Sequence, residues 1–200
     1  MFFNKSPEYE KIIFHNAIKT NDGKYFIKFD KEGDEILAQF TPKLKIIAIK
    51  ENSIEVKLSN KDHVEFIKDI DEFVINACKD HKLSWFNNEE ITDSYVEQAF
   101  MSSYKTIKKS EDISLNLRIS KDIQVFTKAK EQIELSKIDE TSLISFISQI
   151  EGIWFTKTRF GVTWKIRQVM EHDGPYIPKF GKCLIEDEPE EELDNVFPDQ

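Results

Sequence analysis

Residues 143–171 read LISFISQIEGIWFTKTRFGVTWKIRQVME, and the run predicts a β-hairpin. Ile144, Phe146, Ile147, Ile150, Ile153 and Phe155 make its first arm β-branched and aromatic. In the second arm Phe160, Val162, Trp164, Ile166, Gln168 and Met170 share one face at period two. Thr163, Lys165, Arg167 and Val169 share the other. Lys157 and Thr158 form the tip. Gly152 and Gly161 mark a bulge, a bend, or a close approach by another backbone or a ligand.

Two of the three tryptophans, Trp154 and Trp164, sit on this hairpin among Lys157, Arg159, Lys165 and Arg167. A single-stranded nucleic acid needs such a surface, because every base has a π-face to stack and every phosphate attracts a cation. Taken singly, each aromatic also fits a core position, since large rings dominate cores. Period two leaves open which face is buried.

Composition narrows the class. The 200 residues, 40% hydrophobic and 32% charged, suit one ordinary globular domain. No apolar run is long enough to span a membrane, and the N-terminus lacks the apolar region of a signal peptide. Cys78 and Cys183 do not make a disulfide scaffold, so a reducing, intracellular setting with free thiols is expected. The net charge of −9 argues at first against a nucleic-acid ligand. Its distribution argues otherwise. Residues 184–200 hold eight acids and no Lys or Arg, leaving 28 basic against 29 acidic residues before them. The body is near neutral, and residues 152–183 are locally basic.

Several short strands surround one helical stretch. A first strand from Ile12 ending near Ala17-Ile18, then Tyr25–Phe29, Glu35–Phe40, Lys43–Lys50 and Ser53–Leu58, read as strands, with Asp22-Gly23 a hairpin turn and Pro42 an interruption. Val64, Ile67, Ile70, Val74, Ala77 and Cys78 recur at three and four, predicting a helix over 62–82 capped by Ser59 or Asn60. Asp69, Asp71 and Glu72 read as its solvated face. Leu83 to Phe86 break the pattern. A second helix is expected after Asn88, with Glu89 and Glu90 in its first turn. Ser114–Ser120, Ile123–Phe126 and Gln132–Leu135 read as three further strands. The expectation is a mainly β, α+β domain over residues 1–183, an OB-like β-barrel with a helical insertion at about 60–101. An acidic flexible tail, 184–200, follows.

Catalytic signatures are missing. The six glycines form neither a phosphate loop nor a dinucleotide fingerprint. Cys78 and His81 have no second pair at metal-ligand spacing. The expectation is no enzyme, no cofactor and no metal.

GIWFTKTRFGVTWKIRQV, with LAQFTPKLKII, SWFNNEEITDSYVEQAF and SLNLRIS, resembles the single-stranded-DNA-binding-protein-like family of nucleocytoplasmic large DNA viruses. The likeness spans roughly residues 10–197. That family is similar to the phage type, an OB fold with an acidic C-terminal tail and a terminal aromatic. The resemblance implies ssDNA binding in viral replication, recombination or repair, at a host-cell replication site or in a virion. It also implies a tail that competes with DNA or docks replication proteins, here through Glu190, Glu191, Glu192, Asp194 and Phe197. Phe197 is followed by Pro198-Asp199-Gln200, where the phage type ends on its aromatic.

The expected site follows from the residues. Trp154, Phe160, Trp164 and either Trp85 or Phe86 would stack bases. Lys157, Arg159, Lys165, Arg167, Lys105, Lys108, Lys109 and Arg118 would meet phosphates. The alternative is a non-enzymatic viral structural or interaction protein on a β-barrel scaffold, with a homodimer left open.

Overall fold

The structure, a computed structural model, describes residues 2–3, 8–86 and 90–172. The acidic segment, Cys183 and Phe197 lie outside them. In chain order the strands are β1 (Phe2–Phe3), β2 (Ile12–Phe14), β3 (Ile18–Lys19), β4 (Tyr25–Lys31), β5 (Ile36–Lys50) and β6 (Ser53–Leu58). Helices α1 (Lys61–Asp80), α2 (Lys82–Phe86) and α3 (Asp93–Ala99) follow. The remaining strands are β7 (Phe100–Met101), β8 (Tyr104–Thr106), β9 (Ile113–Phe126), β10 (Gln132–Ile133), β11 (Leu143–Phe155) and β12 (Phe160–His172). The chain is mostly β-sheet with a few helices.

The hairpin is β11 with β12. β11 also pairs with β5 over Leu143–Ile150, and β5 continues to β6, β9 and back to β12. These pairings close a ring of five strands. Only β9 with β12 is parallel within it. The interior is apolar: Phe40 and Phe146 stack at 4.7 Å between ring centroids. Ile54, Val56, Leu115, Leu117, Ile150 and Ile166 are each at most 1% exposed. Burying one such side chain contributes roughly 1.5–3 kcal/mol, so the ring needs no external support from charge.

Helix α1 turns Phe66, Ile67, Ile70, Val74, Ala77 and Cys78 inward. The Asn60 side chain caps it, accepting from the Asp62 amide. Burial pushes the Cys78 thiol pKa up, which keeps it protonated and unreactive.

Several expectations are corrected. Pro42 does not divide its strand: β5 runs through it, with the irregularity absorbed where the β11 register shifts between Ile144 and Phe146. Ser114–Ser120 and Ile123–Phe126 are one strand, β9. Leu83–Phe86 are helical within α2. The next helix begins only at Asp93, because Thr92 caps it through the Tyr95 amide; Glu90 precedes it. Period two fails in β12 at Arg167. An extra residue there shifts the register, so Val169 is buried while Gln168 and Met170 are partly exposed.

Gly152 is where β11 changes partners. Before it β11 pairs with β5; from it to Phe155 it pairs with β4. A Cβ at Gly152 would lie 2.3 Å from the Ile27 carbonyl oxygen and 2.7 Å from a Phe26 ring carbon. No side chain fits there. Gly152→Ala is expected to lower stability by about 2–3 kcal/mol in urea unfolding, since main chain must move. Gly23→Ala meets nothing within 4 Å but sits at φ +79°. It should cost only about 1–2 kcal/mol. A Gly152→Ala protein at least as stable as Gly23→Ala would contradict this packing.

Candidate nucleic-acid interface

A cleft of about 810 Å³ opens between the β3–β4 turn and the outer surface of the ring. The turn contributes Thr20, Asn21, Asp22 and Lys24, and β4 adds Tyr25 and Phe26. Trp154 comes from β11, Val162, Thr163 and Trp164 from β12, and Asn116 and Arg118 from β9.

Register places the rings. Trp154 faces Phe26 across one strand boundary and Gly161 across the other. The indole lies against Gly161, where a Cβ would come within 2.9 Å of it. Phe26 lies against Gly152 in the same way. Both glycines therefore carry a neighbour's ring in place of a side chain, which lets aromatic surface lie close to the backbone. Trp154 and Phe26 are half-buried, and Tyr25 is 50% exposed.

Alternation on β9 turns Leu115 and Leu117 inward and Asn116 and Arg118 outward. No ion pair engages Arg118 among the described residues. Lys28, exposed, lies opposite Gly152 just beyond the rings. In the turn, Asp22 accepts hydrogen bonds from Lys24, at 2.6 Å, and from Thr20, at 2.5 Å. These two donors hold its pKa down to about 2, so it remains a carboxylate.

The residues picked from sequence disperse. Trp154 and Arg118 both line the cleft. Phe160 is 0% and Trp164 2% exposed, so neither presents a ring face to a base. Trp164 belongs to the cleft floor only; its ring packs edge-on to Phe40 and Phe66. Trp85 stacks on His81 at 4.7 Å and meets Phe14 and Phe155 edge-on, while Phe86 packs on Phe155 and Phe160. Lys157 and Arg159 are exposed at the hairpin tip, where Arg159 reaches the Met101 sulfur at 2.7 Å. Lys165 pairs with Glu151 at 3.0 Å and Arg167 with Asp122 at 3.1 Å. Lys105 lies on β8, with Lys108 and Lys109 in the following turn, all exposed and outside the cleft lining. Glu190, Glu191, Glu192, Asp194 and Phe197 fall outside the described residues. Sequence reasoning missed Tyr25, Phe26 and Asn116 as lining. Only the outward alternation of β9 held a signal for Asn116.

Residues 42–185 match the model of a family of unknown function (DUF5871). The chain belongs to that family. The matched segment includes Arg118, Trp154 and both hairpin glycines, but not Tyr25 or Phe26. No curated protein matches the chain. Among solved structures it is similar to a C-terminal truncation of the single-stranded DNA-binding protein from bacteriophage Enc34. That match has TM-score 0.45 and 14% identity, covering 84% of this chain and 98% of that one. It is also similar to gp2.5, a single-stranded DNA binding protein encoded by bacteriophage T7. There the TM-score is 0.48 and the identity 10%, over 76% and 98%. The Enc34 protein in complex with ssDNA gives TM-score 0.41 and 16% identity, over 84% and 99%.

One buried polar network fixes the cleft floor. Trp164 Nε1 donates to Ser103 Oγ at 2.9 Å. Ser103 Oγ donates in turn to the Asp71 carboxylate, which also accepts from the Ser103 amide and Ser102 Oγ, each at 2.9 Å. Asp71 is 5% exposed, which corrects its assignment to a solvated helix face. Burial raises its pKa against the opposing pull of these donors. The folded protein therefore binds this proton more tightly than the unfolded chain. Its stabilising effect is full below the unfolded pKa, near about 3.9, and is lost as pH rises through the raised folded value. Asp71→Asn removes the titration and should flatten that decline in urea midpoints measured from pH 4 to 7. Identical pH profiles for the two proteins would contradict it.

Proposed function

We propose that this protein binds single-stranded DNA, with the Trp154–Phe26 cleft as its base-stacking site. The observation that carries the proposal is the placement of two half-buried rings over glycine backbone in a cleft that Arg118 also lines. Stacking needs exposed π-faces held without entropy loss, and the two glycines hold these. Arg118 and Lys28, with Lys24 from the turn, flank the rings as phosphate partners. Tyr25 extends the aromatic surface toward the turn.

We read the closed five-strand ring as an OB-like barrel, whose outer face commonly takes oligonucleotides. The sequence resemblance to the ssDNA-binding family of large DNA viruses supports the same ligand. It extends the proposal to viral replication, recombination or repair inside the host cell, without catalysis. The acidic segment, residues 184–200, would compete for the cleft cations as a tethered polyanion or dock replication proteins.

Titration with oligo-dT tests this. Trp154→Phe keeps a ring and should retain affinity while abolishing most tryptophan quenching. Trp154→Ala should weaken binding about 5–150-fold, given roughly 1–3 kcal/mol per stacked base. With about three cations engaged, log affinity should fall against log salt at a slope of about −2, and Arg118→Ala should remove about 0.7 of it. Quenching that persists in Trp154→Phe, or affinity indifferent to salt, would overturn the site.

A further inference from the structure

A second, smaller pocket of about 210 Å³ lies far from the rings. It is lined by Lys43, Lys45, Lys57, Thr41, Ser59 and Asn60, among others. Leu44 is buried, so Lys43 and Lys45 on either side of it project outward. Lys57, on the neighbouring strand β6, pairs with Asp112 at 2.5 Å. Lys43 and Lys45 make no ion pair among the described residues.

The position of this pocket relative to the chain's exit is what matters. β12 ends at His172, which is in register with Leu143, and Leu143 is in register with Lys45. Two strand spacings separate His172 from Lys45, about 10 Å. Thr163, in the cleft, lies nine residues back along β12, about 30 Å from the same exit. Eleven residues, 173–183, link His172 to the acidic segment. Eleven residues give a random-coil root-mean-square span of about 20 Å. The acidic segment is thus delivered beside the lysine pocket, and its effective concentration there is several-fold higher than at the cleft.

We infer that the acidic segment, residues 184–200, docks on the Lys43–Lys45–Lys57 pocket. Eight carboxylates meet three ammonium groups at a basic concavity two strand spacings from the end of β12. The docking does not depend on the ssDNA reading. If both hold, the pocket draws the polyanion off the cleft, and the balance between the two sites sets how strongly the segment inhibits.

Carbodiimide coupling of the full chain, with no DNA present, tests this. The reagent joins Lys amines to carboxylates in contact, and mass spectrometry maps the pairs. Crosslinks from Glu186–Asp194 to Lys43, Lys45 and Lys57 should exceed those to Lys24 and Lys28 by at least about threefold, as effective concentration falls with distance. They should vanish near 1 M salt, where the screening length is about 3 Å. In a K43E/K45E chain with unchanged circular dichroism, crosslinks to Lys57 should fall and those to Lys24 and Lys28 rise. Crosslinks in wild type that favour Lys24 and Lys28, or that spread evenly over exposed lysines, would overturn the docking. So would a K43E/K45E map unchanged at the remaining lysines.

Discussion

The close passage of β4 over Gly152 is the contact on which the rest depends. β11 pairs with three strands, β12, β5 and β4. Its first eight residues close the five-strand ring through β5, and its last four hand the sheet on to β4. That transfer requires the Ile27 carbonyl to sit where any side chain at Gly152 would project. The same approach sets Phe26 beside Trp154. The handover of the sheet from β11 to β4 and the construction of the cleft therefore both rest on one missing Cβ.

In the proposed reading the cleft combines two kinds of group. Aromatic faces on rigid strands give contact without an ordering cost. Cations give range and salt dependence. The hairpin's basic residues lie outside the cleft lining, and Lys165 and Arg167 are paired with carboxylates on the sheet surface. Such partly exposed pairs contribute little stability, so their role is to fix side chains and local charge. Arg118 makes no ion pair among the described residues and lines the same cleft as the rings. A near-neutral body with one unpaired arginine at an aromatic cleft suits a moderate, salt-tuned grip on a polyanion.

The sequence made the hairpin legible because period two is a local property, as is the 3.6 period of α1. What it hid was nonlocal. Trp154 and Trp164 occupy equivalent contexts in the string, yet α1 covers the face holding Trp164 and leaves Trp154 to the cleft. Phe26 lies more than a hundred residues from Trp154 and meets it only through register. Asp71 sits among charges on a helix, but Ser102 and Ser103 arrive from β8's approach to bury it. Pro42 obeys the local rule against ladder pairing; a bulge in β5, where residues 41–43 lie opposite Ser145 of β11, accommodates it. Arg118 was legible as outward-facing, though not as a neighbour of Trp154.

Photocrosslinking of the full protein to an oligonucleotide carrying 5-iodouracil, followed by peptide mapping, tests the cleft most directly. Base stacking on the rings predicts adducts at Trp154, Phe26 or Tyr25. Adducts confined to Trp85, to the Lys105–Lys109 segment or to the hairpin tip would place the bases elsewhere and contradict the assignment.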